Sequence, residues 1–161
     1  MKIYTVGYEG HNFDSFLSLL AENDIETIVD VREIPLSRKP NFSKKSLEAA
    51  LNISGREYVH MGILGCPKPV RDKYRLDGDW KRYTKGFMKH LATQDAAVAE
   101  LSALASTTSC ALLCFEADPR FCHRSMVANA LEQQFHARVQ HLHARNLKIQ
   151  NFSVEPTLAA A

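Results

Sequence analysis

The stretch Cys114-Phe-Glu-Ala-Asp-Pro-Arg-Phe-Cys-His-Arg124 gathers thiols, carboxylates, an imidazole and guanidiniums into one connection, more reactive chemistry than a plain turn needs. Cys114 and Arg120 have the Cys-x5-Arg spacing that in phosphatases wraps a phosphate in backbone N–H groups while the thiolate attacks phosphorus. The residues between them oppose that chemistry. Glu116 and Asp118 repel a phosphate, and Pro119 lacks one of the N–H donors such a cradle requires. The stretch is read instead as a set of candidate catalytic groups, with Cys114 or Cys122 as the nucleophile and Glu116 or His123 as the group that moves a proton. Cys114, Glu116, Cys122 and His123 are also a thiol, carboxylate and imidazole set able to take a transition metal, although no Cys-x2-Cys pair or paired-histidine spacing accompanies them. Two simpler roles stand beside these: a packed thiol for Cys122, and for His123 a hydrogen bond to Asp30 or a carbonyl.

Arg32 and Arg124 are the candidate anion-binding groups, with Arg71 added from further along the chain. Arg32 follows Asp30 and Val31 at the end of an apolar run, where its guanidinium can reach Glu116 or a bound anion. A structural ion pair with Asp30 or Glu116 is the other use of the same charge. Lys68 to Lys85 interleaves Lys68, Arg71, Lys73, Arg75, Lys81, Arg82 and Lys85 with Tyr74, Trp80 and Tyr83, a mixture able to follow a phosphodiester and stack bases. The competing reading is a solvated charged face with Trp80 and Tyr83 turned inward.

These groups need elements to position them. Lys2 to Val6 reads as a strand, and Asn12 caps a helix with Phe13, Phe16, Leu17 and Leu20 on one face. Glu26 to Val31 gives a second strand, followed by a loop to Ser43, which caps a short helix through Leu51. A short strand is expected near Glu57 to His60. Gly62 to Asp79, with Gly65, Pro67, Pro69 and Gly78, reads as a long functional loop or lid. Helical spacing returns at Trp80, Tyr83, Phe87 and Leu91, and again at Val98, Leu101 and Ala105 after a possible cap at Thr93. Ser109 to Phe115 is a strand, Asp118-Pro119 opens the helix that runs to Phe135, and Ala137 to Leu142 closes the pattern.

Strands alternating with helices predict an α/β fold: a three-layer Rossmann-like domain with a mostly parallel sheet of about five strands and helices on both faces. The single domain is expected over 1–143, with 144–161 as a C-terminal arm or partly disordered tail. In such sheets ligands sit beyond the carboxyl ends of the strands, where the turns Gly7 to Asn12, Asp30 to Ser37 and Cys114 to Arg124 would gather.

Bulk composition narrows the partners. The 161 residues are 45% hydrophobic, enough for one packed core, and 20 Lys plus Arg against 18 Asp plus Glu leave a net charge of +2. That balance argues against bulk attraction to nucleic acid or a membrane, so any basic site must be local. No apolar run approaches the roughly 20 residues that span a bilayer, and Met1 leads straight into a strand; a cytoplasmic protein without a membrane partner is expected. Cys66, Cys110, Cys114 and Cys122 are then reduced thiols rather than a disulfide framework.

Thr5-Val-Gly7-Tyr8, the Phe13-x-x-Phe16-Leu helix, Asp30-Val-Arg32 with Pro35 and Ser37, Phe42, Tyr58, Leu64-Gly65, Arg71, Tyr83, and Cys114-x-Glu116 with Cys122-His-Arg124 together resemble the domain of unknown function 488 family over about residues 1–143. The resemblance implies a compact α/β domain of a bacterial cytosol and no defined activity. It marks Thr5, Gly7, Asp30, Ser37, Tyr58 and Tyr83 as supports of the site. Cys66 stands where the family usually has a second glycine after Leu64-Gly65, which alters the following loop and adds a thiol near the site. The functional expectation is an enzyme-like site for an anionic, phosphate-bearing ligand, a nucleotide or nucleic acid, at the carboxyl edge of the sheet. A non-catalytic nucleic-acid-binding module and a transition-metal protein are the alternatives. No cofactor or oligomeric state is assigned.

Overall fold

Three strands carry uninterrupted runs of buried residues, which is what the centre of a parallel sheet covered on both faces demands. The computed structural model describes residues 1–143; the tail expected over 144–161 lies outside the described residues. Chain order is β1 (Lys2–Gly7), α1 (Phe13–Glu22), β2 (Thr27–Asp30), α2 (Lys44–Ile53), β3 (Glu57–His60), α3 (Lys68–Asp77), α4 (Trp80–Leu91), α5 (Asp95–Ala105), β4 (Cys110–Cys114), α6 (His123–Phe135) and β5 (Arg138–Leu142). All strand pairs are parallel, in the order β3-β2-β4-β1-β5.

Alternation along β4 divides the core. Cys110 and Leu112 join Phe87, Leu101, Val127 and Leu131 on the side of α4, α5 and α6, whereas Ala111 and Leu113 join Phe16, Leu20, Leu47 and Leu51 on the side of α1 and α2. The result is the expected three-layer α/β fold. Connections leaving β1 and β2 cross one face, and those leaving β3 and β4 cross the other. Neighbouring strands β1 and β4 therefore send their chains in opposite directions, leaving a crevice at their carboxyl ends. Register places Gly7 beside Cys114 and Asp30 beside Leu113, so the three loaded turns do share this edge.

Asn12 caps α1 as expected, accepting from the Ser15 N–H at 2.8 Å. Other local expectations change. The supposed loop from Gly62 to Asp79 contains a 3-10 turn, Gly62–Leu64, and the helix α3. Pro67 and Pro69 mark the start of that helix, where a missing N–H costs nothing, and Gly78 ends it in the left-handed region at φ 66°. Its period was hidden because α3 has no fully buried residue. Asp118 caps a separate 3-10 turn, Pro119–Phe121, rather than opening α6, which begins at His123 after the extended Cys122. Ser43 precedes α2 without capping it, because its hydroxyl is engaged with the backbone of Ser37. Thr93 donates back to the His90 carbonyl instead of capping α5. No helix among the described residues is long and apolar enough to cross a membrane.

Two close approaches shape the sheet edge. A methyl on Gly7 would run into the Glu116 carbonyl, and one on Gly65 would strike the Glu33 backbone. Gly7→Ala should therefore lower stability by about 1–3 kcal/mol through overpacking, read from the denaturant midpoint. An unchanged midpoint would show that the turn at Glu116 gives way freely.

Candidate functional site

At the end of β2, Asp30 is fully buried and both of its oxygens are engaged. Oδ1 accepts from the Arg32 N–H and Nε, and Oδ2 accepts from Arg32 Nη2 and the Tyr58 hydroxyl, each of these last two at 2.7 Å. Arg32 also donates through Nη1 to the Tyr8 hydroxyl at 3.2 Å. Burial opposes the guanidinium charge, but the Asp30 carboxylate outweighs it and keeps Arg32 charged. Burial and that same carboxylate hold Tyr58 protonated, so it remains a donor. The Asp30–Arg32 ion pair considered from sequence is thus present, and it presents Arg32 to the crevice.

Arg124 takes a different position from the one expected of an anion ligand. It is completely buried, and its guanidinium donates to Thr5 Oγ1 at 3.2 Å, to the Glu116 carbonyl, and to the Ala117 carbonyl at 3.2 Å. Thr5 Oγ1 lies 2.7 Å from His141 Nδ1. Arg124 therefore ties the turn after β4 to the centre of the sheet and does not line the cavity described below.

Above this strut lie Cys114, Cys122 and His123, all buried, with donor atoms within 4.8 Å of one another. Cys114 Sγ is 3.2 Å from Glu116 Oε2, to which it donates, and 3.8 Å from His123 Nδ1. His123 Nε2 donates to the Val31 carbonyl at 2.8 Å, which fixes the ring and turns Nδ1 toward the sulfur. Its partner is that carbonyl rather than Asp30. The neighbouring Cys122 and burial together push the Cys114 thiol up. Cys122 moves the opposite way: burial resists ionisation, but hydrogen bonds with Cys114 and His123 and the charge of Arg124 hold its thiol well below the usual range. Burial raises the Glu116 carboxyl.

These groups open onto a cavity of about 400 Å³ at the sheet edge. Of the residues singled out from sequence, Arg32, Ser37, Arg71, Tyr83, Cys114, Glu116 and His123 line it, whereas Thr5, Gly7, Asp30, Tyr58, Cys122 and Arg124 support the lining from outside. Sequence reasoning missed Tyr8, Glu33, Ile34, Leu36, Phe115 and Phe121 as lining groups. Tyr74, Trp80 and Arg75 were noted only as parts of the basic, aromatic segment. Their ring spacing along α3 and α4 was the available signal. Trp80 stacks on Tyr83 with centroids 4.7 Å apart, and Tyr74 and Phe121 meet Trp80 edge-on, each at 5.7 Å. Arg71 is held by Glu33 at 2.5 Å and by the Cys66 carbonyl at 3.0 Å. Cys66 lines the cavity too, and burial pushes its thiol up to about 11.

Removing one partner of a buried pair leaves an uncompensated charge. Asp30→Ala is expected to cost about 3–5 kcal/mol in denaturant unfolding, and Tyr58→Phe about 1.5–3 kcal/mol for loss of a hydrogen bond to a charged acceptor. Equal effects from the two substitutions would refute the assignment of the charge to the Asp30–Arg32 pair.

Comparison with known proteins adds one finding. A family model described as Domain of unknown function DUF488 matches residues 12–131. No match was found among curated proteins or among solved structures. The matched span is somewhat shorter than the resemblance read from sequence, but it contains Asp30 to Arg32, Arg71 and the whole turn from Cys114 to Arg124, and on that extent the chain belongs to the DUF488 family.

Proposed function

We propose that the cavity binds an anionic small molecule with a planar ring, of the phosphate-bearing nucleotide class, and that the chain acts on it as an enzyme. The observation that carries this reading is the lining of one cavity by stacked aromatic rings, by arginines and by buried Cys114 and His123. Its volume of about 400 Å³ suits a ligand of that size. Rings at the wall offer stacking, and charge-assisted hydrogen bonds from Arg32, Arg71 and Arg75 would orient the anion. Among the described residues, three of the five Arg32 N–H groups are engaged with Asp30 and Tyr8, and the other two are available to a ligand. Burial raises Glu116 above the usual carboxylate range, which favours its protonated form and makes it the candidate to pass a proton to the ligand.

The nucleic-acid-binding alternative draws less support. Within the basic segment, Lys68 pairs with Asp72, Arg82 with Asp77 and Arg71 with Glu33, while Trp80 and Tyr83 face the cavity rather than an open groove.

Calorimetric titration with a panel of nucleoside mono- and diphosphates tests the reading. At least one is expected to bind, with Trp80→Ala weakening it by about 1–3 kcal/mol, the usual worth of one stacked base. Arg71→Ala should weaken the nucleotide but not the matching nucleoside. No binding at millimolar nucleotide, or loss confined to a salt-sensitive oligonucleotide complex, would overturn the proposal.

A further inference from the structure

We propose that Cys114, Cys122 and His123 form a three-ligand site for a divalent transition metal of the zinc class in the buried wall of the cavity, with a fourth position open toward it. The three donors converge from the end of β4 and the start of α6, and all are buried. Tetrahedral coordination with zinc–sulfur bonds of about 2.3 Å and zinc–nitrogen bonds of about 2.0 Å spaces its ligands about 3.5–3.8 Å apart. Cys114 Sγ and His123 Nδ1 already stand 3.8 Å apart, and the whole set lies within 4.8 Å, a span that thiol rotation can close.

His123 is arranged as a ligand is. With Nε2 donating to the Val31 carbonyl, Nδ1 is the only ring atom left to take a proton or an ion, and such outer hydrogen bonds are what orient metal-bound histidines. The surrounding donor chemistry points the same way. Sulfur, imidazole and the Glu116 carboxyl crowd together, yet none of the ion pairs among the described residues includes them. Arg124, the nearest guanidinium in sequence, spends its described bonds on Thr5 and two carbonyls. Two thiolates balance a divalent ion here, with Arg124 assisting the ionisation of Cys122. On binding, two protons leave the two thiols and the imidazole for solvent, giving two thiolates and a neutral ring around the ion. Cys114, His123 and Glu116 line the cavity while Cys122 lies behind them, so the open position faces whatever the cavity holds. This deepens the proposed function by giving its reactive end a Lewis acid, but the metal site can be tested without any ligand.

The test uses the full chain, reduced and stripped by a chelator, titrated with cobalt(II) under argon. Expected are one equivalent bound per chain, tetrahedral visible bands and a sulfur-to-cobalt charge-transfer band, all displaced by one equivalent of zinc. Cys66→Ser and Cys110→Ser should leave the spectrum unchanged. Cys122→Ser and His123→Ala should each weaken zinc by more than about 100-fold, beyond the loss typical of an outer-shell partner. Where a substitution unfolds the chain, alkylation mapping of the unaltered protein decides: zinc should protect Cys114 and Cys122 together. Absence of the charge-transfer band, a band that persists in Cys122→Ser, or reduced chain whose Cys114 and Cys122 alkylate equally with and without zinc would overturn the site. Zinc binding without nucleotide binding would leave this site standing and remove the proposed function; the reverse result would do the opposite.

Discussion

Arg124 buries its guanidinium at zero exposure, and no ion pair among the described residues includes it. Burying such a group is costly unless its N–H donors are satisfied, and here a hydroxyl and two backbone carbonyls satisfy them. Those carbonyls belong to Glu116 and Ala117, so the requirement to solvate one guanidinium fixes the path of the turn after β4. Gly7 has no side chain because that path brings the Glu116 carbonyl against it. The charge also helps to hold the Cys122 thiol below its usual range. Packing, backbone path and thiol chemistry at this edge thus follow from one buried cation.

A second anchor, the Asp30–Arg32 pair, works on the neighbouring strand with a different outcome. Arg124 is turned wholly inward, whereas Arg32 is pinned on one side by Asp30 and keeps its other side toward the cavity. Tyr8 links this anchor to the rings around it: it accepts from Arg32 and stacks on Phe42 with centroids 4.5 Å apart. The two anchors flank one cavity edge. Arg71, Arg75 and Trp80 are its more exposed lining, whereas Arg32, Tyr83, Cys114 and His123 are buried in its wall.

The layered fold was legible because it depends on periodicity: Phe16 and Leu20, Leu112 and Leu113, Val127 and Leu131 alternate or recur as their elements require. So was the gathering of the Asp30 and Cys114 turns, since a parallel sheet aligns strand ends. What periodicity could not carry was missed. α3 buries no residue fully and packs on the core through little more than Val70 and Tyr74, and its prolines read as breaks when they were a start. The role of Arg124 was hidden for another reason. A guanidinium that bonds carbonyls leaves no complementary acidic residue in the sequence to reveal it. Tyr8, Phe115 and Phe121 escaped as lining groups because their positions depend on loop paths set by those same bonds.

The order of strands also governs how the domain comes into being. β4 lies between β2 and β1, although both of those strands are complete before residue 31 and β4 begins at Cys110. Until the later segment arrives, the two early strands have no common neighbour and expose unpaired edges, a state prone to aggregation. Such long-range pairing also makes for slow folding. A ribosome-bound chain that stops short of Cys110 therefore lacks both the middle of its sheet and its thiol cluster; β4 joins the two early strands, the start of α6 completes the cluster, and β5 closes the sheet beside β1.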